Sequence, residues 1–294
     1  MQRFILFRSS AALLLGTLCV LNLWAANDLQ TELNAKYNNK VLSLRQPYSG
    51  ERLQFGADGK LLGDAKVGPW TVDGQVEVKY VTLVDRSLKI EGRRVRLFFD
   101  PFKRQFRDIG SVSQGDKAAS LFKTFRDQQR WKEVVDQPVE IDVELVSESP
   151  DYKEISLATE AIFLNPRESL VEVLPSFWQS YFANQSGERE PEPEVHEDVY
   201  QLHQDGVSVP TPVRIINPEF SEPARQAGFE GRVTMSFIVD KDGNPEDIRV
   251  VNPAGLGLDE ESVNAVHQWK FKPGQKEARP VNVQFSAETS FRLY

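Results

Sequence analysis

Three carboxylates on one short stretch have the spacing that acid–base chemistry could use. Glu140, Asp142 and Glu144 alternate with apolar residues between Pro138 and Val146. Alternate side chains of a strand point to one face, so these carboxylates would lie together. The same alternation is typical of a sheet with one solvated face, and we favour that interpretation over catalysis.

Other residues could hold ions or nucleotides, but their spacing does not support it. The three histidines, His196, His203 and His267, show none of the spacings that metal sites use. The stretch from Asp240 to Gly243 begins like a calcium loop, yet its glycine comes too early and the twelfth position is not glutamate, so a turn is predicted. The Gly255-Leu256-Gly257 segment lacks the third glycine of a nucleotide loop. We therefore predict no metal, no cofactor and no enzymatic activity.

Length and composition indicate a globular protein of about two domains. The chain has 294 residues, of which 40% are apolar, enough to form real cores. Its formal net charge of −8 argues against a nucleic-acid partner, because such proteins usually present a basic face.

The first 26 residues have the form of an export segment. A basic start is followed by an apolar stretch from Ala11 to Leu21 and by small residues at Ala25 and Ala26. Residues 1–26 are predicted to be a cleaved signal peptide, and a retained N-terminal anchor is the alternative. Cys19, the only cysteine, fits a lipidation site poorly because Leu18 precedes it, and its removal would leave no thiol for disulfides or metals.

Residues 27–184 read as a β-rich domain of unknown role with added helices. A short helix opens it, and strands are predicted at Trp70–Val72, Val76–Val84, Leu88–Gly92 and Val95–Asp100. The pattern favours a twisted antiparallel sheet or a half-open barrel. Trp70, Tyr80 and Trp131 could form stacking platforms for sugar or cell-wall ligands, although aromatic residues at such spacing are more often core.

The second half of this domain mixes helical and strand patterns. One helix is predicted from Lys117 to Val135, followed by the strand Pro138–Val146 with Ile155–Leu164 as its hairpin partner. Another helical stretch begins at Pro166, and Pro175 should divide it. Residues 185–206 form an acidic, proline-containing linker with few apolar side chains to bury.

Residues 207–294, the C-terminal module, read as a complete small α+β unit. Ser221 can cap a short helix with Pro223 in its first turn, and Gly228 suits its end. A hairpin turning at Asp240–Asn244 follows, then a helix from Leu258 and a last strand from Arg279. The predicted fold class for the whole chain is α+β.

The motifs of this module resemble those of the TonB family, specifically the C-terminal domain of these periplasmic energy transducers. The matching elements, in order, are Pro218-x-Phe220 with Ala224-Arg225, Glu230-Gly231-x-Val233, Asp240-x-x-Gly243, Leu258-Asp259 and Trp269-Lys270-Phe271-x-Pro273. The resemblance covers about residues 207–294. It implies a cell-envelope protein, in the periplasm and linked to the inner membrane only if residues 1–26 are retained.

The module ends in a long alternating strand, which is liable to be a sheet edge with unpaired backbone groups. An extended peptide can add to such an edge as a new strand. The resemblance implies that the partner is a segment of an outer-membrane receptor and that the pairing strand runs from Val281 to Phe291. The partner-binding residues carried over are Asn217, Pro218, Glu219 and Phe220 in a loop and Val281, Asn282, Val283, Gln284 and Phe285 in the strand.

Two alternatives remain open from the sequence. The edge could pair with its own copy to form a homodimer, which would make the module structural. The side chains that face inward, including Phe285, could serve only the core. The chain also departs from the family because no histidine precedes His196, so the Ser-x-x-x-His pattern of the transducer anchor is missing. The resemblance therefore supports partner binding more than force transduction.

Overall fold

A computed structural model describes residues 28–189, 199–202 and 206–293 of the chain. The predicted export segment, residues 1–26, and residues 190–198 and 203–205 of the predicted linker lie outside the described residues. Among the helices of the described ranges, none combines the length and apolar character needed to cross a bilayer.

The predicted α+β class is confirmed, and the first half of the chain is built on a six-stranded sheet, here called the N-terminal sheet. Its strands are β1 (Val41–Ser43), β2 (Arg52–Gly56), β3 (Leu61–Leu62), β4 (Gln75–Val84), β5 (Ser87–Arg94) and β8 (Pro138–Glu144). Between β5 and β8 the chain forms β6 (Leu97–Asp100) and β7 (Gln105–Asp108), which pair with each other in a separate two-stranded sheet. The order in the N-terminal sheet is β1-β4-β5-β8-β2-β3, antiparallel except for β2 and β8. Helix α1 (residues 28–37) and helix α4 (Tyr152–Ile162) pack on one face of this sheet and form a first core.

Two predicted strands of this region are wrong. The segment predicted as Ile155–Leu164 lies in α4 up to Ile162. Asp151 caps this helix by accepting the Glu154 N–H at 2.8 Å, and the buried residues recur at helical spacing. The place predicted for that segment beside β8 is taken by β2 and β5. Trp70–Val72 lies in a one-turn helix, α2 (Trp70–Asp73), which follows Pro69.

The single helix predicted over Lys117–Val135 is also wrong. The segment forms 3₁₀ turns at Lys117–Leu121 and Lys123–Arg126 before helix α3 (Gln128–Val135) begins. Phe122 has extended backbone angles and forms a bridge with Phe229, which interrupts the helix. The division of the later helix is confirmed, since Pro175 precedes α5 (Ser176–Ser186) after a 3₁₀ turn at Leu170–Glu172.

The C-terminal module contains the predicted elements in the predicted order. The predicted elements are α6 (Glu222–Ala227), β11 (Gly231–Val239), β12 (Pro245–Asn252), α7 (Leu258–Val266) and β15 (Arg279–Phe291). Four short strands were not predicted: β9 (Val199–Tyr200) ahead of the module, β10 (Thr211–Arg214), β13 (Lys270–Lys272) and β14 (Gly274–Lys276). Ser221 caps α6, and Gly228 ends it in the left-handed conformation, as expected. The sheet order is β12-β11-β15-β14, while β10 pairs with β13.

The module shares its hydrophobic core with the first half of the chain. Its buried strand residues, among them Val233, Met235 and Phe237, pack in one cluster with Phe98, Trp178 and other residues from before the predicted linker. We call this cluster the shared core. The division of the chain at residues 185–206 stays a prediction, but the module does not bury its apolar faces by itself.

Backbone contacts hold the two parts together at the loop before α7. The Phe99 N–H donates to Ala254 O and the Leu256 N–H to Leu97 O, both at 2.7 Å. Gly255 lies between them with φ +88°, and a Cβ at this position would be 2.5 Å from Leu97 O. Only glycine allows the two backbones to approach this closely.

Candidate partner-binding edge of the C-terminal module

Strand β15 is the central element of the candidate site. One of its edges is paired with β11, in antiparallel register from Val283 to Phe291. The other edge, which we call the outer edge, is the one that could accept a partner.

The expectation that the outer edge is unpaired is wrong for its first part. Arg279 and Val281 pair with Lys276 and Gly274 of β14, through a hairpin whose two loop residues, Glu277 and Ala278, both have positive φ. Asn282 and Val283 pair in parallel with Val199 and Tyr200 of β9. The chain itself therefore occupies the outer edge from Arg279 to Val283.

The outer edge from Gln284 to Phe291 has no paired strand or bridge among the described residues. In a two-residue hairpin the two residues that close the loop, here Lys276 and Arg279, form two backbone hydrogen bonds with each other. The N–H and C=O groups of Arg279 therefore point to the outer edge, and those of every second residue after it point to the same edge. Counting from Arg279, the backbone groups of Phe285, Ala287 and Thr289 point outward. This is the open edge, and an extended segment can pair with it.

Side chains near the start of the open edge are engaged within the module. Val283 is fully buried, and the Phe285 ring lies 5.6 Å from that of Phe237 and 5.5 Å from that of Phe271. The Gln284 amide donates to Ser236 Oγ at 2.7 Å. What these residues can offer a partner is the backbone of β15.

The loop predicted to meet the partner lies at the far end of the open edge. The Phe220 ring packs edge-on against Phe291, with centroids 5.6 Å apart, while Asn217 and Glu219 are exposed and Pro218 is half-buried. At about 3.3 Å per residue, the loop lies roughly 20 Å from Phe285 along the strand. A partner segment of six or seven residues paired with the open edge would reach from Phe285 to this loop.

Sequence reasoning missed the two short strands that cover the first part of the edge. Strand β14 has three residues and turns at Glu277-Ala278, which lacks the glycine or asparagine of a typical tight hairpin. Strand β9 has two residues beside an acidic stretch. Its only signal is the pair Val199-Tyr200, two residue types that favour strands.

The carboxylates with acid–base spacing lie on the solvated face of the N-terminal sheet. Glu140 is near Arg52 and Lys89, Asp142 is near Lys89, and Glu144 contacts Arg86 at 2.6 Å. These are surface ion pairs, which contribute little free energy. The arrangement agrees with the solvated-face interpretation.

The other motifs have structural roles in the described ranges. The Asp240 carboxylate accepts the Asp242 and Asn244 N–H groups, which makes the predicted turn. Gly255 packs against Leu97 and Phe98, Gly257 packs against Ser221 and Pro69, and His267 is exposed at the end of α7. Within the described residues no three His, Cys, Asp or Glu side chains cluster as metal ligands would.

The aromatic residues proposed as stacking platforms do not line a groove. Trp70 and Trp131 are buried in the shared core, while Tyr80 is 53% exposed on another part of the chain. A cavity of about 550 Å³ lies between α5 and β12, but its aromatic lining comes from Phe99 and Tyr181. The interpretation of these three residues as a sugar platform is therefore wrong.

Two adjacent carboxyl groups at the start of α7 are enclosed where the module meets the first half of the chain. Asp259 accepts the Ala254 and Gly255 N–H groups at 2.8 and 2.7 Å. Glu260 Oε1 accepts from the Trp70 N–H and the Trp178 indole N–H, both at 3.2 Å, while Oε2 has no partner among the described residues. Burial and then the Asp259 charge raise the pKa of Glu260 to about 8, and burial raises the pKa of Asp259 to about 6.

This pair gives the shared core a pH dependence that Glu260→Gln should remove. Because the pKa of folded Glu260 lies above the ordinary 4.5, the unfolded chain loses this proton first as pH rises, and the free energy of unfolding falls through about pH 8. Between pH 6 and 8 this pair of carboxyl groups should account for a fall of about 2 kcal/mol. Urea unfolding of Glu260→Gln across this range should show that fall abolished, whereas the exposed control Glu148→Gln should retain it.

The fold and the edge define a small α+β module with one long strand whose outer edge is partly open. Residues 216–293 match the family model described as Gram-negative bacterial TonB protein C-terminal. The chain therefore carries a TonB-like C-terminal domain in this segment, which confirms the resemblance found in the motifs.

Comparison with individual proteins finds similarities over the same part of the chain. Protein TonB of Vibrio cholerae serotype O1 is 29% identical over 79 residues, which are 26% of this chain and 32% of that protein, so the chain spans about a third of the length of this curated relative. The solution NMR structure of the Pseudomonas aeruginosa TonB C-terminal domain is 26% identical and covers 32% of this chain and 93% of that one, with a TM-score of 0.26. The TonB2 protein of Vibrio anguillarum is 22% identical and covers 35% and 99%, with a TM-score of 0.24.

Proposed function

We propose that this protein is a cell-envelope adaptor that engages outer-membrane transport receptors by strand addition to the open edge of β15. The observation that carries the proposal is the run from Gln284 to Phe291, paired on one side with β11 and open on the other. Main-chain hydrogen bonds to such an edge give affinity without a preformed side-chain pocket.

The location of the open edge supports this role. It begins where the chain's own strand β9 ends and runs to the loop of Asn217 to Phe220, so an added segment would contact both the edge and the loop. The TonB-like assignment of residues 216–293 supports a receptor segment as the partner and the periplasm as the location. Energy-dependent transport across the outer membrane is the process that this docking would serve.

Site-specific crosslinking in the bacterium that produces the protein tests the proposal. A photo-crosslinking amino acid at Ser286, an exposed position on the open edge, should give adducts with outer-membrane receptors that mass spectrometry can identify. The same amino acid at Glu148, an exposed loop position away from the module, should not.

The alternative function, self-association, uses the same edge. Two copies of β15 could pair through their open edges, since an antiparallel arrangement is self-complementary. Adducts at Ser286 made only with a second copy of this chain would favour that function and overturn the receptor proposal.

A further inference from the structure

The chain places one of its own segments on the edge that a partner would use. Val199 and Tyr200 pair in parallel with Asn282 and Val283, next to the point where the open edge begins. Strand addition to β15 therefore already occurs in the molecule, with β9 as the added strand.

Two further contacts hold this segment beside the sheet. The Lys276 ammonium group lies 4.5 Å from the centroid of the Tyr200 ring, a cation–π contact that adds to the backbone pairing. Farther along the chain, the Ser208 N–H donates to Gln275 O, and the Gln275 N–H donates to Ser208 Oγ, both at 2.8 Å. The chain is thus fastened to β14 beyond the pairing of Tyr200.

We propose that Val199–Tyr200 is a built-in competitor for the docking edge, and this inference rests on the proposed function of that edge. A partner strand confined to Gln284–Phe291 can pair while β9 is in place. A partner that extends toward Arg279 must first displace β9. The segment thereby limits the length of edge that a weak partner can use and lets a longer or tighter one use more.

The competition is effective because the competitor is tethered. A segment joined to its site by a short connection acts at an effective concentration of about millimolar, which compensates for the small contact that two residues make. If β9 is docked about 90% of the time, the apparent affinity of a competing peptide is about tenfold weaker than for a vacant edge.

A labelled peptide with the chain's own sequence Glu-Asp-Val-Tyr-Gln-Leu-His-Gln, residues 197–204, tests this inference by fluorescence anisotropy. It should bind the full chain carrying Val199→Pro about tenfold more tightly than the wild-type chain, because Val199 turns its N–H to β15 in this parallel register, and proline removes that backbone donor and disfavours the pairing. Val199→Ile keeps both the backbone N–H and a β-branched side chain, and should behave like the wild-type chain.

Amide hydrogen exchange at Val283 gives a second readout that needs no added peptide. Its N–H points to the outer edge and should exchange at least tenfold faster in Val199→Pro than in the wild type or in Val199→Ile. Equal peptide affinity and equal exchange in all three proteins would overturn the inference. Neither measurement uses a receptor, so these results stand apart from a failure to find receptor adducts at Ser286.

Discussion

Gly255→Ala is expected to lower the free energy of unfolding of the shared core by about 4 kcal/mol. The left-handed conformation of this residue costs alanine roughly 1–2 kcal/mol, and the rest comes from the added Cβ, which would lie 2.5 Å from Leu97 O. Relief of that contact requires separation of the two hydrogen bonds that join Leu97 and Phe99 to the loop before α7. The junction between the module and the first half of the chain should therefore loosen.

Gly115→Ala is the matched control. Gly115 has φ +89°, almost the same as Gly255, but has no atom within 4 Å of an added Cβ, so its replacement should cost only about 1 kcal/mol. Urea unfolding followed by tryptophan fluorescence suits the comparison, because four of the five tryptophans, Trp70, Trp131, Trp178 and Trp269, belong to the shared core. Equal losses in the two variants would show that the junction is not tightly packed.

The shared core has a consequence for experiments on the module. A fragment cut in the predicted linker would expose the faces that Phe98, Phe122 and Trp178 cover in the full chain. If such a fragment failed to bind, the result would not show whether the proposed binding site is wrong or the fragment is misfolded. Binding should therefore be measured on the full chain.

Ala287→Pro is expected to weaken receptor binding about thirty- to hundredfold, equivalent to about 2–3 kcal/mol. The Ala287 N–H points to the open edge, so proline removes a donor that a partner strand would use and places its ring in the path of that strand. The pairing of β15 with β11 does not use this N–H, so the fold should lose no more than about 1 kcal/mol. Affinity can be measured with the receptor identified by crosslinking at Ser286.

Ala287→Ser provides the control for this substitution. Serine keeps the backbone N–H and is nearly the same size as alanine, so binding should stay within a few-fold of the wild type. Unchanged affinity in Ala287→Pro, with the fold intact by tryptophan fluorescence, would show that partners do not pair with this edge.

The C-terminal module could be predicted in detail because its local signals are strong and agree with one another. Ser221, Pro223 and Gly228 define the ends of α6, and the turn at Asp240–Asn244 fixes the hairpin. In each case the interactions that determine the structure join residues only a few positions apart, so the local sequence is enough to predict them. The placement of the loop of Asn217 to Phe220 at one end of β15 needed the structure.

The first half of the chain was less predictable because distant contacts decide its elements. The pattern from Lys117 to Val135 is helical by itself, but Phe122 bridges to Phe229, more than 100 residues away. Ile155–Leu164 has an apolar pattern compatible with a strand or a helix, and the cap at Asp151 decides for the helix. The occupation of the outer edge by β9 is likewise a contact between segments far apart in sequence, which neither periodicity nor turn residues indicate.

Residue-resolved amide hydrogen exchange on the full chain, with and without a bound receptor, tests the docking edge most directly. If a partner adds as a strand, the outward N–H groups of Phe285, Ala287 and Thr289 should become protected at least tenfold on binding. The inward N–H groups of Ser286 and Glu288, already paired with β11, should change little. Binding that leaves the exchange of Phe285, Ala287 and Thr289 unchanged would contradict strand addition at β15.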